Sequence, residues 1–228
     1  MPLFTRVSPS IIAVDYNNEE VVKSALENIE DAGANFVHID VMDGKFVSNK
    51  TFDHKFVDFV KNHTTLMLDV HLMIENPEKH VDDYISAGAD IITFHYEATD
   101  NPESLLKHIK SKNVLAGLAI NPETPAYKIK DLLKKNLIDV VLVMGVNPGA
   151  CGQSFIPGSA EKVAEVRELD KSVYIEIDGG VNVKNSKILR KLGANILVSG
   201  SCIFSSKNIK KTIRALKGRA WIVSMNSL

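Results

Sequence analysis

Eight β-strands alternating with eight helices, closed into a single (β/α)8 TIM barrel of the α/β class, is the fold this sequence predicts. Three observations predict it. Short β-rich runs alternate with longer charged, amphipathic runs along the whole chain, and the order never reverses. Several β-rich runs are nearly continuously apolar, as expected of parallel strands covered on both faces. A helix-ending phrase also recurs, as Ala32-Gly33-Ala34-Asn35, Ala87-Gly88-Ala89-Asp90 and Leu192-Gly193-Ala194-Asn195. Glycine there takes the left-handed turn that ends a helix, and the small alanine lets the chain re-enter the sheet. A doubly wound open sheet with extra units is the rival arrangement.

Taken in order, a strand at 7–13 leads to a helix at 18–32, closed by the first of those phrases. A strand at 35–41 and a helix at 53–62 follow. The strand at 65–71 precedes a helix at 77–87, opened by Pro77 and closed by the second phrase. The strand at 90–95 precedes a helix at 102–111; Pro102, like Pro77, sits early in its helix, where a missing N–H costs nothing. Strands at 114–120, 139–144, 173–178 and 195–199 alternate with helices at 125–135, 158–169, 183–192 and 208–216. One domain over 1–228 is expected, with a mildly apolar tail at 221–228 to which no function is assigned. In a barrel, chemistry sits at the C-terminal strand ends and phosphate is held after the last strands.

The composition excludes several classes. With 45% hydrophobic and 24% charged residues and a net charge of -1, the chain has no electrostatic case for nucleic acid or an anionic membrane. No apolar run reaches the roughly 18 to 20 residues of a membrane span, and residues 1–7 lack the apolar core of an export signal. Two cysteines, Cys151 and Cys202, are too few for a disulfide framework and fit a reducing, cytoplasmic setting.

Strand alternation then gathers ionisable groups. In Val37-His38-Ile39-Asp40-Val41-Met42, the residues His38, Asp40 and Met42 share one face and the apolar pair takes the other. In Leu68-Asp69-Val70-His71-Leu72-Met73 the inward set is Asp69, His71 and Met73, and in Tyr174-Ile175-Glu176-Ile177-Asp178 it is Glu176 and Asp178. Asp69 and Glu176 lie one layer deeper and read as structural or supporting groups. Alone, a strand-end histidine is commonly a hydrogen-bonded structural residue, and an aspartate before two glycines a turn former. Three strand ends carrying the same chemistry into one cavity point instead to a divalent transition metal, because charged groups at buried strand ends are costly unless paired or metal-bound.

Together with Ser8-Pro9-Ser10, Asp43-Gly44, Asn147-Pro148-Gly149, Gly152-Gln153-Ser154-Phe155-Ile156-Pro157, Gly179-Gly180-Val181-Asn182 and Gly200-Ser201, these blocks resemble the signature of ribulose-phosphate 3-epimerases, in family order over about 7–216. The resemblance implies a metal-dependent ketose-phosphate 3-epimerase. His38, Asp40, His71 and Asp178 would hold one divalent ion per subunit, zinc first, with iron, manganese or cobalt as alternatives. Asp40 and Asp178 would be the two acid/base groups on opposite faces of the substrate, acting through a cis-enediolate. Ser10, His71, Met42, Met73 and Met144 would contact the substrate, although Ser10 also reads as a turn residue and Met144 as core filling.

Glycine-bearing loops after strands six, seven and eight would cradle the phosphate: Gly149, Ala150, Cys151 and Gly152, then Gly179 and Gly180, then Gly200 and Ser201. Here the chain departs from the family, whose loop reads Gly-Phe-Gly-Gly. Gly145 also replaces a small hydroxyl residue, and the segment 45–54 lacks the usual Pro and Gly-Pro. These departures bear on substrate identity. D-Ribulose 5-phosphate to D-xylulose 5-phosphate is the first expectation, and a hexulose phosphate such as D-allulose 6-phosphate the second. A non-catalytic phosphosugar-binding barrel, a metallohydrolase and a metal-free phosphate-binding barrel are the readings from other classes. The family further implies a homo-oligomer, either dimer or hexamer.

Overall fold

The computed structural model describes residues 4–150 and 152–218, so Cys151 and the tail at 221–228 lie outside the described residues. Eight parallel strands run β1 (Arg6–Pro9), β2 (Phe36–Met42), β3 (Met67–Met73), β4 (Ile91–His95), β5 (Leu115–Ile120), β6 (Val140–Met144), β7 (Tyr174–Asp178) and β8 (Ile196–Ser199). They form one sheet in the order β1-β8-β7-β6-β5-β4-β3-β2, and a parallel bridge between Ser10 and His38 joins its two edges into a barrel. The fold is the predicted (β/α)8 barrel. No helix among the described residues is long and apolar enough to cross a membrane.

The helices are α1 (Glu19–Asp31), α2 (His54–Lys61), α3 (Val81–Ser86), α4 (Pro102–Ser111), α5 (Lys130–Lys134), α6 (Gly158–Leu169), α7 (Val183–Leu192), α8 (Ser201–Phe204) and α9 (Ile209–Lys217). Side chains of Asn18, Asp53, Asn101, Asn182 and Asn208 accept the first free N–H groups of α1, α2, α4, α7 and α9. Gly33, Gly88 and Gly193, the glycines of the repeated phrase, have φ of 78°, 95° and 119°, the left-handed turn expected of them.

Beyond boundary shifts of one or two residues, the expected elements differ from the observed ones in four places. The first strand ends at Pro9, and Ile11–Ala13 form a 3-10 turn with Ile11 fully buried, so that apolar run packs over the barrel end instead of joining the sheet. The expected helix at 77–87 is a 3-10 turn, Pro77–Lys79, before α3, and that at 125–135 is a 3-10 turn, Ala126–Ile129, before α5. The short helix α8, directly after β8, was not expected.

At the barrel's N-terminal end one device appears four times. Asn35, Asp90, Asp139 and Asn195 each immediately precede an even-numbered strand, and each grips the preceding odd-numbered strand at two points. Its side-chain oxygen accepts the N–H of Val7, Leu68, Ala116 or Ile175, at 3.1, 2.8, 3.0 and 2.7 Å respectively. Its own N–H donates to the carbonyl of that same residue, at 3.0, 3.0, 2.8 and 2.9 Å. The two aspartates are paired with Lys61 and Lys110, whereas the two asparagines carry no charge to neutralise.

Above these clamps the interior is built in layers from alternate strands. Phe36, Ile91, Val140 and Ile196, the first residues of β2, β4, β6 and β8, pack together as an apolar floor. Counting two residues up each strand, the next layer carries Ser8, Asp69, Gly117 and Glu176 from the odd strands. Gly117 is required there, because a Cβ would lie 2.0 Å from Thr93 Oγ1. His38, Thr93, Leu142 and Val198 follow, then Ser10, His71, Ala119 and Asp178. The apolar alternates, such as Val37, Ile39, Leu68, Val70, Ile175 and Ile177, face the helices in the main core. Polar chemistry therefore starts directly above the floor.

Candidate metal and acid/base centre

β2, β3 and β7 bring His38, Asp40, His71 and Asp178 together, with one donor atom from each within 4.8 Å of all the others. Asp40 divides its two oxygens. Oδ1 lies 3.3 Å from His38 Nε2 and 3.2 Å from His71 Nδ1, while Oδ2 accepts the Ser10 hydroxyl at 2.6 Å. Asp178 Oδ2 is 4.0 Å from His71 Nδ1. Asp69 stands behind His38, with Oδ2 at 2.7 Å from Nδ1, and also accepts the Ser8 hydroxyl at 2.9 Å. Glu176 is fully buried beside it, and neither of its oxygens has a hydrogen-bond partner.

The electrostatics follow from this arrangement. Burial disfavours charge on Asp40, but the neighbouring His38 and His71 outweigh it and hold the carboxyl below the usual range. Burial pushes Asp178 the other way, and the charge of Asp40 adds to the effect, so it titrates at about 7. Glu176 is raised well above a normal glutamate by burial and by the charge of Asp69. For His38, burial is outweighed by Asp69 and Asp40 and the pKa rises; for His71 burial dominates and lowers it.

The donor set fits a divalent metal. His38 Nε2 is buried without a hydrogen-bond partner while Nδ1 is held by Asp69, so the ring is oriented with one nitrogen left for coordination. Two imidazole nitrogens and two carboxylates suit zinc, iron, manganese or cobalt, and the pair of carboxylates offsets the ion's charge.

The cluster forms the base of a cavity of about 380 Å3. Asp40 and Asp178 reach it, as do Ser10, Met42, Met73, Met144, Gly149, Ala150, Gly152, Gly179, Gly180, Gly200 and Ser201. His38 and His71 are fully buried and do not line it, although the sequence reading expects His71 to touch substrate. Ser10 lines the cavity with its hydroxyl directed at Asp40. No lysine or arginine lines the cavity among the described residues, so an anionic group there would meet uncharged donors: backbone N–H groups, serine hydroxyls and the amides of Gln153 and Asn182.

The loops around the mouth are tied to one another. Gln153 Nε2 donates to the carbonyls of Asn147 and Ala150 at 2.8 and 3.0 Å, and Asn49 Nδ2 reaches across to Gly149 O at 2.6 Å. Phe46 and Val47, from the segment that departs from the family pattern, pack with Met42 and Met73. The glycine at 145 has a local reason: its N–H donates to Asp178 O, and a Cβ would lie 2.4 Å from Gly179 O.

Two residues of this neighbourhood escape the sequence reading, His95 and Glu97. His95 ends β4 facing inward, and its Nε2 lies 2.8 Å from His71 Nε2. Strand alternation from Ile91 through Thr93 was the available signal.

Comparison with known proteins agrees with this chemistry. Residues 6–204 match the Ribulose-phosphate 3 epimerase family. The chain is 38% identical over 218 residues to ribulose-phosphate 3-epimerase of Bacillus subtilis, covering 93% of this chain and 98% of the relative. It is 39% identical over 225 residues to the Escherichia coli protein of the same name, covering 96% and 97%. It is 42% identical over 218 residues to the chloroplastic ribulose-5-phosphate-3-epimerase of Arabidopsis thaliana, covering 92% and 75%. Among solved structures, 3-hexulose-6-phosphate synthase from Salmonella typhimurium superposes with a TM-score of 0.69 at 14% identity, covering 93% of this chain and 97% of that one, a likeness of fold alone.

Proposed function

The chain belongs to the ribulose-phosphate 3-epimerase family, and from that premise we propose that it interconverts D-ribulose 5-phosphate and D-xylulose 5-phosphate by inverting C3. The observation that carries the mechanism is the pair Asp40 and Asp178: two carboxylates that reach one cavity and are pushed apart in pKa. Epimerisation needs a base on one face of the reacting carbon and an acid on the other. Asp40, ionised, would take the C3 proton. Asp178, in its protonated form, would return one from the opposite face, and the roles exchange in the reverse direction.

His38, Asp40, His71 and Asp178 would hold the metal, zinc first among zinc, iron, manganese and cobalt. Its chemistry would be to stabilise the negative charge that develops on the substrate oxygens as the proton leaves, an effect of several kcal/mol. Ser10 holds Asp40 Oδ2 in place, and Met42, Met73 and Met144 supply an apolar wall that limits water around the enediolate. Backbone N–H groups around Gly149, Gly152, Gly179, Gly180, Gly200 and Ser201 would take the phosphate. We assign the described barrel to one domain, and we place the protein in the cytoplasm as a homo-oligomer, dimer or hexamer, a state that light scattering on the purified protein would read.

The test is exchange of the C3 proton into deuterated solvent, followed by NMR with the metal content recorded. D-Allulose 6-phosphate is run in parallel because Ala150 and the segment 45–54 depart from the family pattern beside the cavity. Metal-dependent exchange and epimer formation with ribulose 5-phosphate is expected. Asp40→Asn and Asp178→Asn should each reduce it by about 10²- to 10⁴-fold. Faster turnover of the hexulose phosphate would reassign the substrate, and no exchange with either sugar by metal-replete protein would refute the epimerase reading.

A further inference from the structure

We infer that His95 and Glu97 are positioning residues for the metal site, forming a relay Glu97–His95–His71 that fixes the orientation and tautomer of His71; the inference rests on the metal-binding reading above. His71 turns Nδ1 toward Asp40 and Asp178, at 3.2 and 4.0 Å, so Nδ1 is the nitrogen available for coordination. Its other nitrogen, Nε2, lies 2.8 Å from His95 Nε2. Two ring nitrogens at that distance form a hydrogen bond only when one of them carries a proton and the other does not.

A coordinating Nδ1 has no proton, so the proton of His71 sits on Nε2 and donates to His95. His95 Nε2 is then the acceptor, and a neutral His95 must carry its own proton on Nδ1. That atom is buried with no hydrogen-bond partner among the described residues, and the carboxylate it faces is Glu97, with Oε2 at 3.4 Å.

The surroundings favour this assignment. His95 is fully buried between His71 Nε2 and the Glu97 carboxylate. Glu97 is held in place through Oε1, which accepts the Asn121 N–H at 3.0 Å and the Thr124 hydroxyl. Burial raises its pKa, but His95, Thr124 and Asn121 outweigh this and hold it at about 2, so it is ionised. Phe46 packs against the His95 ring, with centroids 4.9 Å apart. His38 is backed by a carboxylate directly, through Asp69, whereas His71 is backed by one through an intervening imidazole. Such support fixes ring orientation and raises the basicity of the ligand, and its loss commonly weakens metal binding 10- to 100-fold.

The test measures zinc affinity of the purified full-length protein by chelator competition. Wild type is compared with His95→Gln, Glu97→Gln and, as a ligand control, Asp40→Asn. Glu97→Gln keeps an oxygen for Asn121 and Thr124 but turns the oxygen facing His95 Nδ1 into an NH2 donor, removing both the charge and the acceptor, so it carries the test if His95→Gln does not fold. The expected result is a loss of about 10- to 100-fold in both variants. In nitrogen-15 histidine spectra of the zinc-loaded wild type, His95 should be protonated at Nδ1 and His71 at Nε2, a signature that space filling alone would not produce. Unchanged affinity in both variants while Asp40→Asn loses zinc, or a His95 proton on Nε2, would overturn the relay alone. No zinc binding by wild type would overturn the metal reading together with it.

Discussion

Asp40 and Asp178 line one cavity and carry the same side chain, yet their surroundings push them in opposite directions. The difference has a consequence for metal loading. Below about pH 7 Asp178 holds a proton that an incoming ion must displace; above it the carboxylate is already free. Apparent zinc affinity should therefore fall as pH drops below about 7, by up to tenfold per unit from Asp178 alone, and level off above. His38, whose pKa is also raised, would steepen the fall. Chelator competition between about pH 5.5 and 8.5 measures the slope, and a flat profile would mean that Asp178 binds no metal. The four proposed ligands were legible in the sequence because strand alternation separates them cleanly from Val37, Ile39, Val70 and Ile177 on the other face. His95 was not. It is one titratable group on a strand whose other inward residues are Ile91 and Thr93, and its partner His71 is distant in sequence.

At the level of elements, sequence and structure disagree in a regular way. The predicted strands at 35–41, 90–95, 139–144 and 195–199 each begin one residue early, at the clamping residues Asn35, Asp90, Asp139 and Asn195. Apolar periodicity marks where a strand is covered, not where its ladder starts, and these side chains stand in for the first rung. The repeated Gly-Ala-Asn and Gly-Ala-Asp phrase already carried three of the four clamps. The same limit explains the first strand, since Ile11 is as apolar as a strand residue but lies in a turn packed over the barrel end. Asn195 is buried, so Asn195→Ala would leave the Ile175 N–H without its acceptor, at a cost of about 1–3 kcal/mol. For a domain of this size the melting temperature should drop by roughly 2–12 °C. Calorimetry on the purified variant reads it directly, and an unchanged transition would show that the clamp adds nothing to stability.

Across the whole molecule, hydrogen bonding around the barrel is uneven. β2 and β3 are in register over seven residue pairs, whereas β1 and the residue after it meet β2 through the single Ser10–His38 bridge, the Asn35 clamp and the Ser10–Asp40 side-chain bond. That seam should open at lower free energy than the rest of the wall. In native-state hydrogen exchange, peptides covering 6–10 should take up deuterium before those covering 67–73; the reverse order would place the weak seam elsewhere. Closure of the wall was legible from the strand–helix count, but the position of its weakest join was not, because it depends on a β1 of only four residues. The apolar floor of Phe36, Ile91, Val140 and Ile196 has a different consequence. It makes the barrel a flask with one neck, through which sugar, product and the isotope of the bulk liquid all travel. Isotope taken from C3 of the starting sugar onto Asp40 can leave only through that neck, so its return to unreacted sugar, set against its loss to the bulk liquid, becomes a clock that counts how often the neck admits water.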